Sequence, residues 1–322
     1  QRAMQVLRLV GAPLLLAGVV WLAGPRAIWE AVQGADAGWL LAGLLCATLG
    51  NASAALRWAE LARWLGHRVH PRWALTVYFK AVAVNALLPG AVVGGDMFRA
   101  WQLHRDGCAR GAAGLSVVLD RLSGLWMLFV LSAMALFIGA GTPEMGMLRR
   151  MLHVPEAWPS VLIALLLVTI LLLLPLGGLI ALAAVAGHRA EPGSRRAVAA
   201  GLLQRPAALE QYLRQAATSL GVGLFAMGAL YCAARGFGIE LPGWLLVVTA
   251  APIFLLAALP ISFGGWGTRE AVTVAGWAAF GVAPALSVGA SAALGIYALL
   301  QAAIGLFPLP AAVRSDDGAA GV

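Results

Sequence analysis

An all-α polytopic membrane domain is the fold class this sequence predicts, on three observations. Hydrophobic residues make up 61% of the 322 and charged residues 11%, against roughly half and a quarter in soluble domains. Uncharged stretches of membrane-spanning length recur along the chain. The basic residues collect in a few connecting segments. Together these predict about six spanning helices in a single transmembrane domain, residues 1–322.

Taken in order, Leu9–Pro25 follows Arg2 and Arg8 like a signal sequence. No small-residue cleavage site follows it, so it is expected as a retained first helix. Ala37–Leu56, Leu122–Pro143, Val161–Ala186, Ala216–Ala234 and Ala271–Val313 supply further apolar runs. Each approaches or exceeds the ~20 residues that cross a hydrocarbon core. The longest polar connection, the cytoplasmic loop 187–215, is too short for a soluble catalytic domain.

Orientation follows from the 22 basic residues. Fifteen fall in segments assigned to the inside: Arg2, Arg8, Arg57, Arg63, Arg68, Arg72, Arg99, Arg105, Arg110, Arg189, Arg195, Arg196, Arg205, Arg214 and Arg314. Four (Arg26, Arg149, Arg150 and Arg235) fall outside, and Lys80, Arg121 and Arg269 lie within apolar segments. This asymmetry places both termini in the cytoplasm. It also creates a conflict, because 57–72 and 99–110 both read as cytoplasmic while apolar Trp73–Pro89 lies between them. A re-entrant hairpin resolves it, with Pro89, Gly90, Gly94 and Gly95 supplying the break. Residues 244–283 repeat the shape upside down, broken around Pro260, Gly264, Gly265 and Gly267. Two opposed hairpins, in repeats of about 37–140 and 216–310, make the pattern of an inverted-topology transporter.

The breaks carry the candidate site. The first reads Asn85-Ala86-Leu87-Leu88-Pro89-Gly90-Ala91-Val92-Val93-Gly94-Gly95-Asp96-Met97-Phe98-Arg99, and the second Pro260-Ile261-Ser262-Phe263-Gly264-Gly265-Trp266-Gly267-Thr268-Arg269-Glu270. Broken backbone at membrane depth persists only where protein or a water-filled cavity satisfies it. Glycine lets backbone N–H groups approach a ligand, and a helix resuming there points its positive end at an anion. Arginine matches phosphate with a planar fork, and a neighbouring carboxylate holds it in the empty site. Asn85, Asp96, Arg99, Ser262, Arg269 and Glu270 are therefore candidate substrate-binding residues. Asp120 and Arg121, ahead of the run from Leu122, are candidates for either the interface or the site.

Other residues receive plainer readings. Arg57 is expected as a topology anchor ending the helix at Leu56, Lys80 as a snorkelling side chain, and the five histidines as solvated loop residues. Cys46, Cys108 and Cys232 lack metal-ligand spacing, and no metal or cofactor is expected. Seven tryptophans near segment ends suit the interface. Trp266, inside the second break, either caps a cavity or fills space. The net charge of +8 reflects loop asymmetry and points to anionic lipid headgroups, with no nucleic-acid partner.

At these motifs the chain resembles the lysylphosphatidylglycerol synthase transmembrane-region family. Asn85 to Arg99, Asp120-Arg121-Leu122-Ser123-Gly124-Leu125 and Pro260 to Glu270 match its three stretches in order and spacing. The resemblance implies a domain that flips aminoacylated phosphatidylglycerol in bifunctional members and serves other lipid pathways in stand-alone ones. Synthase activity, tied to a soluble domain, is not carried over. The expected function is a flippase or scramblase binding a phosphate-bearing headgroup, with a separate lipid-synthesis enzyme as a possible partner. The alternatives are a membrane enzyme acting on a lipid phosphate and a non-transporting lipid-binding protein. Neither a Ser–His pairing nor a carboxylate cluster supports the enzyme. Composition rich in Ala, Gly and Arg points to a bacterial inner membrane.

Overall fold

A computed structural model describes residues 16–87, 92–155, 159–186, 208–258 and 265–306, and every regular element in them is helical. In order these are α1 (16–23 in its described part), α2 (Pro25–Gln33), α3 (Ala37–Trp64), α4 (Pro71–Leu87), α5 (Val92–Arg105) and α6 (Arg110–Ile138). Then follow α7 (Pro143–Met151), α8 (Ser160–Ala186), α9 (Ala208–Gly236), α10 (Gly243–Ala257), α11 (Thr268–Ala278) and α12 (Pro284–Leu306). Among the described residues four helices, α3, α6, α9 and α12, are long and apolar enough to cross a membrane. α8 adds 27 uncharged residues. The expected first span begins in 1–15, outside the described residues.

Side chains are distributed as lipid demands. α3 exposes Leu41, Leu45, Leu49 and Leu56 and buries Gly43, Gly50, Ala54 and Ala55. Lipid tails are as apolar as leucine, so helices associate through small residues that admit close backbones. Gly50 lies beside Phe225, Gly228 beside Cys46 and Gly236 beside Leu40, a register that makes α3 and α9 antiparallel. At one end of this pair the Asp36 carboxylate caps α3 through the Trp39 amide at 3.1 Å. The Asp36 amide donates to the Gly236 carbonyl at 2.8 Å.

The remaining helices pack symmetrically about that pair. α4 lies on α12 as α10 lies on α6, and α8 lies on α6 as α2 lies on α12. Within the halves, α4–α5 and α5–α6 correspond to α10–α11 and α11–α12. Every principal pairing among the described residues maps onto another when the halves are exchanged. Each short helix pair also returns to its starting end. His67, before α4, meets Asp106, after α5, at 3.1 Å. The Trp277 indole, late in α11, donates to Thr249 Oγ1, midway along α10, at 2.9 Å.

Two helix boundaries differ from expectation. α3 runs eight residues past Leu56, and α6 begins at Arg110, so Arg57, Asp120 and Arg121 all lie inside helices. The charges that looked like helix ends are neutralised across helices instead. Nor are all the histidines solvated: His67 pairs with Asp106, and His104 Nδ1 contacts the Cys108 carbonyl at 2.9 Å.

Candidate functional site

The four charged residues of the first half's motifs, Asp96, Arg99, Asp120 and Arg121, join Arg57 in one continuous ladder. Asp120, 2% exposed within α6, accepts from Arg57 Nε at 3.0 Å and Nη2 at 2.8 Å on one oxygen. Its other oxygen accepts from Arg99 Nη1 at 2.8 Å. Arg99 Nη2 donates to Asp96 at 2.8 Å, and Asp96 holds Arg121 through bidentate contacts of 2.7 and 2.9 Å. Arg57 Nη1 crosses to the other half and donates to Ser219 Oγ of α9 at 2.9 Å.

Three guanidiniums thus face two carboxylates, leaving one surplus positive charge. Burial of such groups is tolerable only when each is paired and hydrogen-bonded, and the ladder meets that condition. Arg99, 2% exposed, is further held between the rings of Trp58 and Tyr78, at 5.4 and 4.8 Å from their centroids. Such cation–π contacts strengthen where water is excluded. Arg121 is the ladder's open end, its side chain 42% exposed beside Asp96 at 21%.

The second half builds a neutral counterpart. Arg269 Nη2 donates to Glu270 at 2.9 Å, and Ser291 of α12 donates to the same carboxylate at 3.0 Å. Gly267 adopts φ 84°, which suits glycine, and its amide donates to Glu270 at 2.6 Å. Glu270 therefore occupies the positive end of α11. Trp266 stacks near the Arg269 guanidinium at 5.2 Å. A side chain at Gly295 would strike both, so this glycine makes room for them.

Between the halves lies a cavity of about 590 Å³, lined by Arg57, Asp96, Asp120 and Arg121 from one half and Ser219 and Arg269 from the other. Arg99 and Glu270 stand behind these residues and hold them. Asn85 serves the hairpin itself, its Oδ1 accepting from the Gly95 amide at 2.9 Å. Gly94 lies in α5, and Gly265 adopts φ 83° before α11. Pro89, Gly90, Pro260, Ser262 and Gly264 fall outside the described residues.

Arg57 overturns the anchor expectation. It is 3% exposed and ties α3, α6 and α9 together. Asp120 is likewise buried between helices, and Arg121 joins the same ladder through Asp96. The residues missed altogether are Ser219, Ser291 and Tyr78, whose signal is a lone polar group within an apolar run. Among the described residues no three His, Cys, Asp or Glu side chains are grouped to hold a metal ion. Chemically, the arrangement presents a buried, net-positive cluster whose outermost arginine, Arg121, is its most exposed member.

The family profile described as the lysylphosphatidylglycerol synthase TM region matches residues 6–305. A comparison with curated proteins returns no match.

Proposed function

The chain belongs to the lysylphosphatidylglycerol synthase TM region family, a multi-pass membrane group associated with lipid, and on that footing we propose that it moves a phosphate-bearing lipid headgroup between leaflets. The observation that carries the reading is the ladder's surplus positive charge beside a cavity shared by both halves. A headgroup leaving water loses its hydration, and a pre-organised guanidinium replaces it. Arg121 receives the phosphate and Asp96 holds Arg121 when the cavity is empty. Arg57, Arg99 and Glu270 keep the receptors in position, and the acyl chains stay in lipid.

Both short helix pairs act as re-entrant hairpins entering from opposite faces, with the termini in the cytoplasm. The closed end at His67–Asp106 and the Thr249–Trp277 contact between α10 and α11 support this, as does the exchange symmetry of the packing. Such a repeat gives alternating access by rocking one half against the other. Transport, rather than conversion, is favoured because Asp96, Asp120 and Glu270 are all committed to arginines. They act as counter-ions. We place the protein in a bacterial inner membrane.

Reconstitution tests the reading. Vesicles containing the purified chain and fluorescent phosphatidylglycerol are treated with an impermeant quencher. Loss of signal beyond the outer leaflet's half is expected, and Arg121→Ala slows it at least tenfold. No exchange above protein-free vesicles, or a chemically altered headgroup, overturns the proposal.

A further inference from the structure

We infer that a file of bound water runs along the seam between α3 and α9, from the end that the proposed topology places in the cytoplasm to the Arg57 end of the ladder. Apart from Arg57 and Ser219, where the two meet, the seam's polar groups lie outside the cavity lining. The inference stands whether or not the chain moves lipid. Buried polar side chains with no partner carry it.

Residue numbers rise along α3 as they fall along α9. Leu40 meets Gly236, Cys46 meets Gly228, Gly50 meets Phe225 and Arg57 reaches Ser219. Continued past Ser219, the same register sets Gln215 level with Glu60. Gln211, Gln215 and Ser219 recur every four residues, so they share one face of α9, and the Arg57 contact turns that face toward α3. Gln215 is 8% exposed, and neither its amide oxygen nor its amide nitrogen has a partner among the described residues. One turn earlier, Gln211 Nε2 is also buried and unpartnered, as is Glu60 Oε2 across the seam. Glu60 faces two environments. Its side chain is 30% exposed, with Oε1 3.9 Å from Arg63 Nη2, while Oε2 is buried.

Buried polar groups are nearly always paired, with protein or with ordered water. Amide donors, an amide acceptor and a carboxylate oxygen in one seam need a partner that both donates and accepts, and water does. The spacing fits as well. Four residues of helix rise about 6 Å, which one water spans with a hydrogen bond of about 2.8 Å on either side. A metal ion fits poorly, because Arg57 and Arg63 flank the seam's single carboxylate. The file ends at Ser219, whose hydroxyl accepts from Arg57 Nη1 at 2.9 Å. Water there reaches the ladder's surplus positive charge from the Glu60 end. A buried charge costs less where water penetrates and relaxes around it, so the seam helps the ladder keep its unpaired charge. Glu60, exposed on one side and buried on the other, forms the mouth.

X-ray footprinting of the full chain in detergent tests this without any substitution, because hydroxyl radicals formed from bound water oxidise the side chains beside it. Leu61, next to Glu60 and 2% exposed, is expected to be oxidised at least threefold faster than Leu230, 1% exposed in the core. Labelling in a cysteine-free background reads the side. Gln215→Cys is expected to react with methanethiosulfonate ethylammonium at least tenfold faster than Leu230→Cys, and from the side that labels a cysteine at position 68. Gln211→Cys takes its place where Gln215→Cys does not fold. Gln215→Leu removes partners from the water and is expected to lower the thermal midpoint, whereas an amide buried dry is relieved by the change and the midpoint rises. Equal oxidation of the two leucines, equal reactivity of the two cysteines, or an unchanged or raised midpoint overturns the water file. Reaction from the opposite side alone overturns its cytoplasmic mouth. None of these readings requires transport, so a chain that moves no lipid still decides them.

Discussion

Asp120→Asn is the most informative perturbation of the ladder, because one carboxylate serves two arginines. It sits 2% exposed beside Arg57 at 3% and Arg99 at 2%. At a charge separation of about 4 Å and an effective dielectric of about 20, each attraction is worth about 4 kcal/mol. Removing one member of such a buried pair costs about 3–5 kcal/mol net. The substitution takes the ladder from one surplus positive charge to two and turns amide hydrogens toward guanidinium hydrogens. Arg57→Met does the opposite, leaving Asp120 paired with Arg99 and the ladder neutral. Its cost is expected near 1–3 kcal/mol, the loss of charged hydrogen bonds. Reversible unfolding in mixed detergent and dodecyl sulfate micelles measures both. The double variant is expected to cost less than the sum of the two by at least about 1 kcal/mol, since the groups share partners. An Asp120→Asn cost below that of Arg57→Met, or strict additivity, would refute the charge bookkeeping.

Gly95→Ala is expected to lower the thermal midpoint by overpacking worth about 1–3 kcal/mol. Its Cβ would strike Asn85 Oδ1 and the Ala81 carbonyl, and a backbone carbonyl cannot step aside. Gly111→Ala and Gly114→Ala, which meet nothing within 4 Å, are expected to be neutral or mildly stabilising; identical shifts in all three would contradict the hairpin contact. Cysteines introduced at 68 and 105 in a cysteine-free background are expected to react with an impermeant maleimide from one and the same side. Labelling from opposite sides would abolish the re-entrant hairpin.

What the sequence discloses and what it hides divide along physical lines. Apolar run length and the Pro–Gly breaks are local properties, so α4 and α5, and α10 and α11, could be anticipated within a few residues, and the four long spans in their apolar parts. The glycine and arginine spacing of both breaks was equally visible. Helix ends beside charges were not. Arg57 reads as a boundary because an unpaired guanidinium belongs in water. Its partner Asp120 lies 63 residues away, and nothing local announces it. The same holds for Asp120 and Arg121, whose place depends on Arg99 and Asp96 arriving from α5. Ser219 and Ser291 carry only a weak signal, since a lone hydroxyl in an apolar helix is as often an ordinary packing residue.

The two halves correspond in packing but not in charge, and that difference gives the cavity a direction. Arg99 meets its α6 partner 21 residues later, and Arg269 meets its α12 partner 22 residues later. The first partner is Asp120 and the second Ser291. A carboxylate at that place draws in a second arginine, Arg57 from α3. The next acid along, Asp96, draws in Arg121. With a serine there, Arg269 needs only the adjacent Glu270, and the second half closes as a neutral pair. Three added charges, those of Asp120, Arg57 and Arg121, therefore separate a net-positive wall from an uncharged one. Under the proposed transport reading, a phosphate between them is expected to be held toward α3, α5 and α6 in either orientation of the halves, so that rocking would alter which face of the membrane it sees while its strongest contacts stay the same.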